Sequence, residues 1–155
     1  MAYGMYLGLK TVFPRQFKSN PDSSPVNILV STIQIGNTIY KLDIADDDNE
    51  KIKGLSGRDS LPFDQGMLFT YPTKDRYSFW MKGMRFSLDF VWIDGDTIVD
   101  LTEEVQRPLT DTYTPIYQPK VPVDKILELN VGEIKKNGFT VGQKVTITIL
   151  QDSTQ

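Results

Sequence analysis

Residues 86–93 read FSLDFVWI, with Phe86, Leu88, Phe90 and Trp92 at alternate positions and Ser87, Asp89, Val91 and Ile93 between them. Successive side chains of an extended chain point to opposite faces, so the first set forms an unbroken apolar face that only a packed core accepts. The second set begins polar and turns apolar. That pattern predicts a strand running from a half-wet region into one covered on both sides. Such a strand needs partner strands on either flank, and the rest of the chain supplies them.

The stretches VNILVSTIQI and TIYKLDI are rich in β-branched residues and flank Gly36-Asn37, a two-residue connection of the type II′ hairpin kind. FSLDFVWI and TIVDL flank Asp94-Gly95-Asp96, where Asp-Gly suits another tight hairpin. KILEL and VTITIL read as further strands. Two short helical turns interrupt the series. DDDNEKIKG has acids at its start, lysines near its end and Gly54 where a left-handed cap belongs, and GEIKKNG closes on Asn-Gly. The expected fold class is all-β, a compact antiparallel β-barrel or sandwich with two short helical turns.

With 155 residues, 39% of them hydrophobic, the chain has material for one domain and its core. We place that domain at residues 26–151. Residues 1–25 end in the linker-like SNPDSSP and read as an extension or cloning remnant. Lys10 and Pro14 interrupt their apolar stretch well before the roughly 20 residues a membrane span needs, so no transmembrane segment is expected. The stretch also lacks the basic start and small-residue cleavage site of a signal peptide. The sequence is compatible with a cytoplasmic domain and with one exported to the cell envelope.

The net charge is −3 and the basic residues are scattered, so no nucleic-acid partner is expected. Histidine and cysteine are both absent. Their absence removes Ser-His-Asp and Cys-His nucleophile systems and the commonest transition-metal ligands. No phosphate-cradling glycine motif is present, and GLSGR follows a helical turn instead of opening one. DDDNE departs from the calcium-loop pattern because Lys51 stands where the loop glycine belongs, and it reads as a helix start. No metal or cofactor is expected.

What remains is a set of charges inside apolar contexts: Arg58 after the first helical turn, Lys82 in WMKGM, Asp89 in SLDFVWI and Glu128 in KILEL. Charge is costly to bury unpaired, so each of Lys82 and Asp89 is expected within ion-pair reach of an opposite charge. In the sharper arrangement Arg58, Trp80, Met81, Lys82 and Asp89 line one pocket, with Glu128 also in the binding set. An aromatic wall and a few convergent charges suit a small polar, sugar-like or cell-envelope ligand. Two alternatives stand beside that binding module. One is a hydrolase using Asp89 and Glu128 as paired carboxylates. The other is an interaction domain using the Pro/Tyr-rich loop Thr102–Pro122, with Tyr113 and Tyr117. The lack of histidine favours binding over hydrolysis.

Three blocks, GLSGRDSLPFDQGMLF, SFWMKGMRFSLDFVWID and ILELNVGEIKKNGFTVGQKV, together resemble the DUF192 family, small bacterial and archaeal domains of unknown function. The resemblance runs from about Ile35 to Val145. It includes Gly54-Leu55, Arg58, Leu61-Pro62, Gly66-Met67-Leu68-Phe69, Phe79 to Lys82, Leu88-Asp89, Leu127-Glu128 and Gly132. Where the commoner family form reads Trp-Met-Lys-Asn-Thr, this chain has Gly83 and Met84. The resemblance implies a compact antiparallel β-barrel or sandwich, and it implies no activity.

Overall fold

The computed structural model describes residues 30–110 and 115–150. The extension 1–25 and Tyr113 lie outside the described residues.

The first hairpin joins β1 (Thr32–Ile35) to β2 (Thr38–Ala45) through Gly36-Asn37. Gly36 alone takes a left-handed angle there, φ 58°, as a type II′ turn requires. Helix α1 (Asp48–Lys53) starts where the Asp47 carboxylate accepts the Glu50 N–H, and it ends at Gly54. Then come β3 (Gln65–Asp75), β4 (Phe79–Trp80), β5 (Leu88–Asp94), β6 (Thr97–Val105), β7 (Ile116–Tyr117) and β8 (Val123–Asn130). Helix α2 (Glu133–Asn137) and β9 (Val145–Thr148) complete the chain. Among the described residues no helix is long and apolar enough to cross a membrane.

Seven strands form one sheet in the order β6-β5-β8-β3-β2-β1-β9, and β4 and β7 form a separate two-stranded sheet. The large sheet is curled, so that the start of β6 is bonded at one corner to the residues leading into β9. Thr97 bridges Lys144, the Ile98 N–H donates to the Gln143 carbonyl at 2.9 Å, and the Val145 N–H donates to that of Asp96 at 2.8 Å.

The antiparallel barrel or sandwich expected from the sequence has one exception in its pairing. β2 and β3 run parallel, from Lys41 opposite Gln65 to Ala45 opposite Phe69. Parallel neighbours need a crossover, and residues 46–64 with α1 provide it. The central strand β3 also goes unrecognised in the sequence pattern. It contains Gly66 and Pro72, and its register with β8 shifts between Thr70 and Asp75, where proline does least harm. The stretch Thr102–Pro122 is not one long loop, because β6 extends to Val105 and Ile116-Tyr117 pairs with β4.

Both faces of the large sheet are covered. Leu88, Phe90 and Trp92 are fully buried on one face, with Phe86 partly buried against them, and Val91 and Ile93 are buried on the other. Phe79 of β4 closes the first face, edge-on to Phe69 at 4.9 Å and to Trp92 at 5.7 Å. Burying each such side chain contributes roughly 1.5–3 kcal/mol. Tyr117 packs on Phe90 at 5.7 Å, so this tyrosine is a packing residue.

Candidate functional site

Strand β8 lies between β3 and β5, which sets Glu128 opposite Met67 on one side and Phe90 on the other. Its side chain therefore rises into the aromatic core face. Glu128 is only 5% exposed, and its Oε2 atom has no hydrogen-bond partner. Burial pushes the carboxyl up to about 8, while the positive charge of Arg58 pulls it partly back. At neutral pH Glu128 is thus mostly a neutral acid, able to donate one hydrogen bond.

Glu128 forms the base of a cleft of about 320 Å³. Phe69 and Tyr71 of β3 and Phe79 and Trp80 of β4 supply its aromatic walls, and α1 supplies Lys51, Ile52 and Lys53 at the opposite side. The crossover that makes β2 and β3 parallel is what brings α1 over this face. Trp80 sits on the outward side of the two-residue strand β4, opposite Ile116 of β7, and is 47% exposed. Tyr71 stacks on Tyr77 with ring centres 3.6 Å apart. Burial first, then the neighbouring Tyr77 and Glu128, push its hydroxyl up to about 12. The Lys51 ammonium lies 4.7 Å from the centre of the Tyr71 ring while donating to the Asp46 carbonyl at 2.6 Å.

A second groove, of about 420 Å³, adjoins the first and shares Lys53 and Gly54 with it. Asp43 of β2 and Arg58 lie here, joined by an ion pair of 2.5 Å. Arg58 is therefore next to the Glu128 cleft and not in its lining.

The other residues expected at one site separate. Met81 is buried in the core. Lys82 and Gly83 are the middle of a turn closed by the Met84 N–H to the Met81 carbonyl at 3.1 Å, with Gly83 at φ 71°. That turn aims both methionines inward and leaves Lys82 exposed, with no ion pair to the described residues. Its backbone carries the contact instead, since the Lys82 carbonyl accepts the Ser56 hydroxyl at 2.8 Å.

Asp89 also departs from the expected ion pair. It is fully buried on the opposite face of the sheet from Glu128, and its two oxygens accept the backbone N–H groups of Glu104 and Ile134, each at 2.9 Å. Two peptide dipoles replace the cation, and one of them belongs to the first turn of α2, whose own cap, Gly132, has no side chain to offer. Asp89 and Glu128 therefore do not form an acid/base pair. Sequence reasoning missed the residues that do surround Glu128, namely Phe69, Tyr71, Phe79 and the α1 lysines. Their common signal was a single acid in the otherwise apolar run ILEL.

This arrangement sits on a fold seen elsewhere. A protein from Sinorhizobium meliloti 1021, provisionally described as a transcription regulator, superposes with a TM-score of 0.67 at 26% identity, covering 76% of this chain and 91% of its own. A protein of unknown function from Novosphingobium aromaticivorans DSM 12444 gives the same TM-score, 0.67, at 24% identity, covering 83% of this chain and 94% of its own. Among curated proteins none matches this chain. Residues 31–147 match DUF192, described as "Uncharacterized ACR", which spans nearly the whole described fold, and the chain belongs to that family.

Proposed function

We propose that the domain is a non-catalytic binding module for a small polar ligand that enters the cleft between α1 and β4. The observation that carries this reading is the unpartnered oxygen of Glu128 at the cleft base. A buried polar atom without a partner costs on the order of 1–3 kcal/mol, a cost that a ligand group bonded to it recovers. The cleft volume of about 320 Å³ falls within the range of small-molecule sites. The half-exposed face of Trp80 offers a stacking wall for a sugar ring or another flat group. The bridge between β6 and β9 supports a partly closed barrel as the rigid scaffold. The expected pairing of Asp89 with Glu128 is not available for hydrolysis, because Asp89 is committed to backbone N–H groups across the sheet, and the cleft's other acid, Asp48, is solvent-exposed on α1.

The test is thermal stabilisation and tryptophan fluorescence of the chain against a panel of sugars, amines, organic acids and neutral metabolites. A ligand should raise the melting temperature of the parent protein and shift the emission of Trp80. Trp80→Ala should lose that response with its own melting temperature within a few degrees of the parent's. A panel without a single ligand for the parent, together with a large stability loss in Trp80→Ala, overturns the proposal and makes the cleft a packing feature.

A further inference from the structure

The binding reading above leaves the ligand's head group unspecified, and the contents of the cleft narrow it. We propose that the group taken by Glu128 is a protonated amine, a small organic ammonium carried on an apolar or aromatic body. The inference rests on the binding-module reading and adds its ligand class.

Three observations converge. First, the cleft holds an acid whose Oε2 atom has no partner, and no cation among the described residues is ion-paired with it, Lys53 of the lining being solvent-exposed. Arg58 is held by Asp43 at 2.5 Å, and the Lys51 ammonium is turned to the Asp46 carbonyl at 2.6 Å. Second, the walls next to that acid are the aromatic side chains Phe69, Tyr71, Phe79 and Trp80. Ring faces are electron-rich and attract ammonium groups within about 6 Å of their centres. Third, the chain already sets one ammonium on this wall, Lys51 at 4.7 Å from the Tyr71 ring centre.

The charged and titratable groups facing Glu128 come from each element packed around it: Asp48, Lys51 and Lys53 from α1, Tyr71 from β3, and Arg58 from the adjoining groove. Asp48 and Lys53 are exposed at the mouth, where water and salt screen them. Glu128 is the buried acid of the lining, and little solvent weakens an ion pair formed with it.

Each rival head group has its own proton signature. An ammonium pairs with the ionised carboxylate, so binding expels the proton that Glu128 carries near neutrality and tightens as pH rises. A neutral oxygen acceptor takes a hydrogen bond from the protonated acid and expels no proton. A carboxylate needs that proton retained and weakens as pH rises.

The experiment titrates the full chain with benzylammonium, benzyl alcohol and benzoate, followed by tryptophan fluorescence and by calorimetry in two buffers of different ionisation enthalpy. Benzylammonium should bind in preference to both others. Its affinity should rise about tenfold per pH unit from about pH 6 to near 8, with about one proton released per ligand at the acidic end. Glu128→Gln, checked for an intact near-ultraviolet spectrum, should weaken it at least tenfold. Equal or tighter binding of benzyl alcohol or benzoate overturns the ammonium assignment and leaves the binding module standing. Failure of benzylammonium to bind also overturns the assignment. The module itself falls only if the broader panel is empty as well.

Discussion

Glu128→Gln should change how stability depends on pH, and in a predictable direction. The carboxyl of Glu128 is raised from 4.5 to about 8 in the folded chain, chiefly by burial. Between those values the folded protein holds a proton that the unfolded chain has released. Stability contributed by the neutral acid is therefore fully present below about pH 4.5 and is lost as pH climbs to about 8. At roughly 1.4 kcal/mol per pH unit, the whole interval amounts to about 5 kcal/mol, of which about 3 kcal/mol is gone by pH 7. Glutamine keeps the shape of the neutral acid and cannot ionise. Its amide introduces a constant offset, so the slope is the diagnostic and not the absolute stability. Denaturant unfolding of both proteins at several pH values, with unchanged m-values, measures it. The variant should gain on the parent steadily from about pH 5 to 8 and hold level above. A difference that is flat across this range would falsify the view that Glu128 is a buried neutral acid.

Four further outcomes follow from particular contacts. Asp89→Ala strips two buried N–H groups, those of Glu104 and Ile134, of their acceptor and should cost about 2–5 kcal/mol in denaturant unfolding, with less than about 1 kcal/mol counting against the capping role. Burial pushes the Glu133 carboxyl up, but hydrogen bonds from Tyr40, Lys136 and Asn137 outweigh it and hold the group below 4.5. Its contribution is thus present above that value and lost as pH falls through the folded value, so Glu133→Gln should flatten the acid limb of the stability curve, and an unchanged limb would refute the network. Gly66→Ala sets a methyl 2.9 Å from Leu127, 3.0 Å from Leu129 and 3.1 Å from the Glu128 carbonyl oxygen, which should destabilise by about 1–3 kcal/mol on thermal unfolding. Trp80→Ala removes a half-exposed side chain and should lower the melting temperature by only a few degrees while abolishing ligand response, whereas a fall of more than about 10 °C would make Trp80 a core residue.

Local patterns were legible where local physics decides them. Leu88, Phe90 and Trp92 of the period-two face of FSLDFVWI are buried as read and Phe86 partly so, the Gly36-Asn37 and Asp94-Gly95-Asp96 hairpins form, and α1 and α2 begin and end near their acids and glycines. Strand β3 was illegible because its punctuation has long-range causes. Gly66 is demanded by Leu127 and Leu129 of β8, and Pro72 falls where the ladder with β8 shifts register. Of the charges singled out in the sequence, Asp89 and Glu128 are buried in strands while Arg58 and Lys82 lie outside them, and the surroundings of each come from far off in sequence. Asp89 found the N–H of Ile134 in α2 instead of a cation. Lys82 was turned outward by the turn that Gly83 closes with its positive φ, a geometry that brings no opposite charge to it. Glu128 belongs to the cleft because β3, β4 and a parallel crossover converge on it, and no stretch of residues around 128 encodes that convergence.

The most direct measurement of the central claim is the carboxyl carbon of Glu128, followed by nuclear magnetic resonance through a pH titration, alone and saturated with a bound ligand. A buried, unpaired Glu128 should titrate with a free-protein midpoint near 8, far above the ordinary 4.5, and that midpoint should be clearly displaced when the cleft is filled. A midpoint near 4.5 in the free protein, or one that a bound ligand leaves unmoved, would contradict that claim.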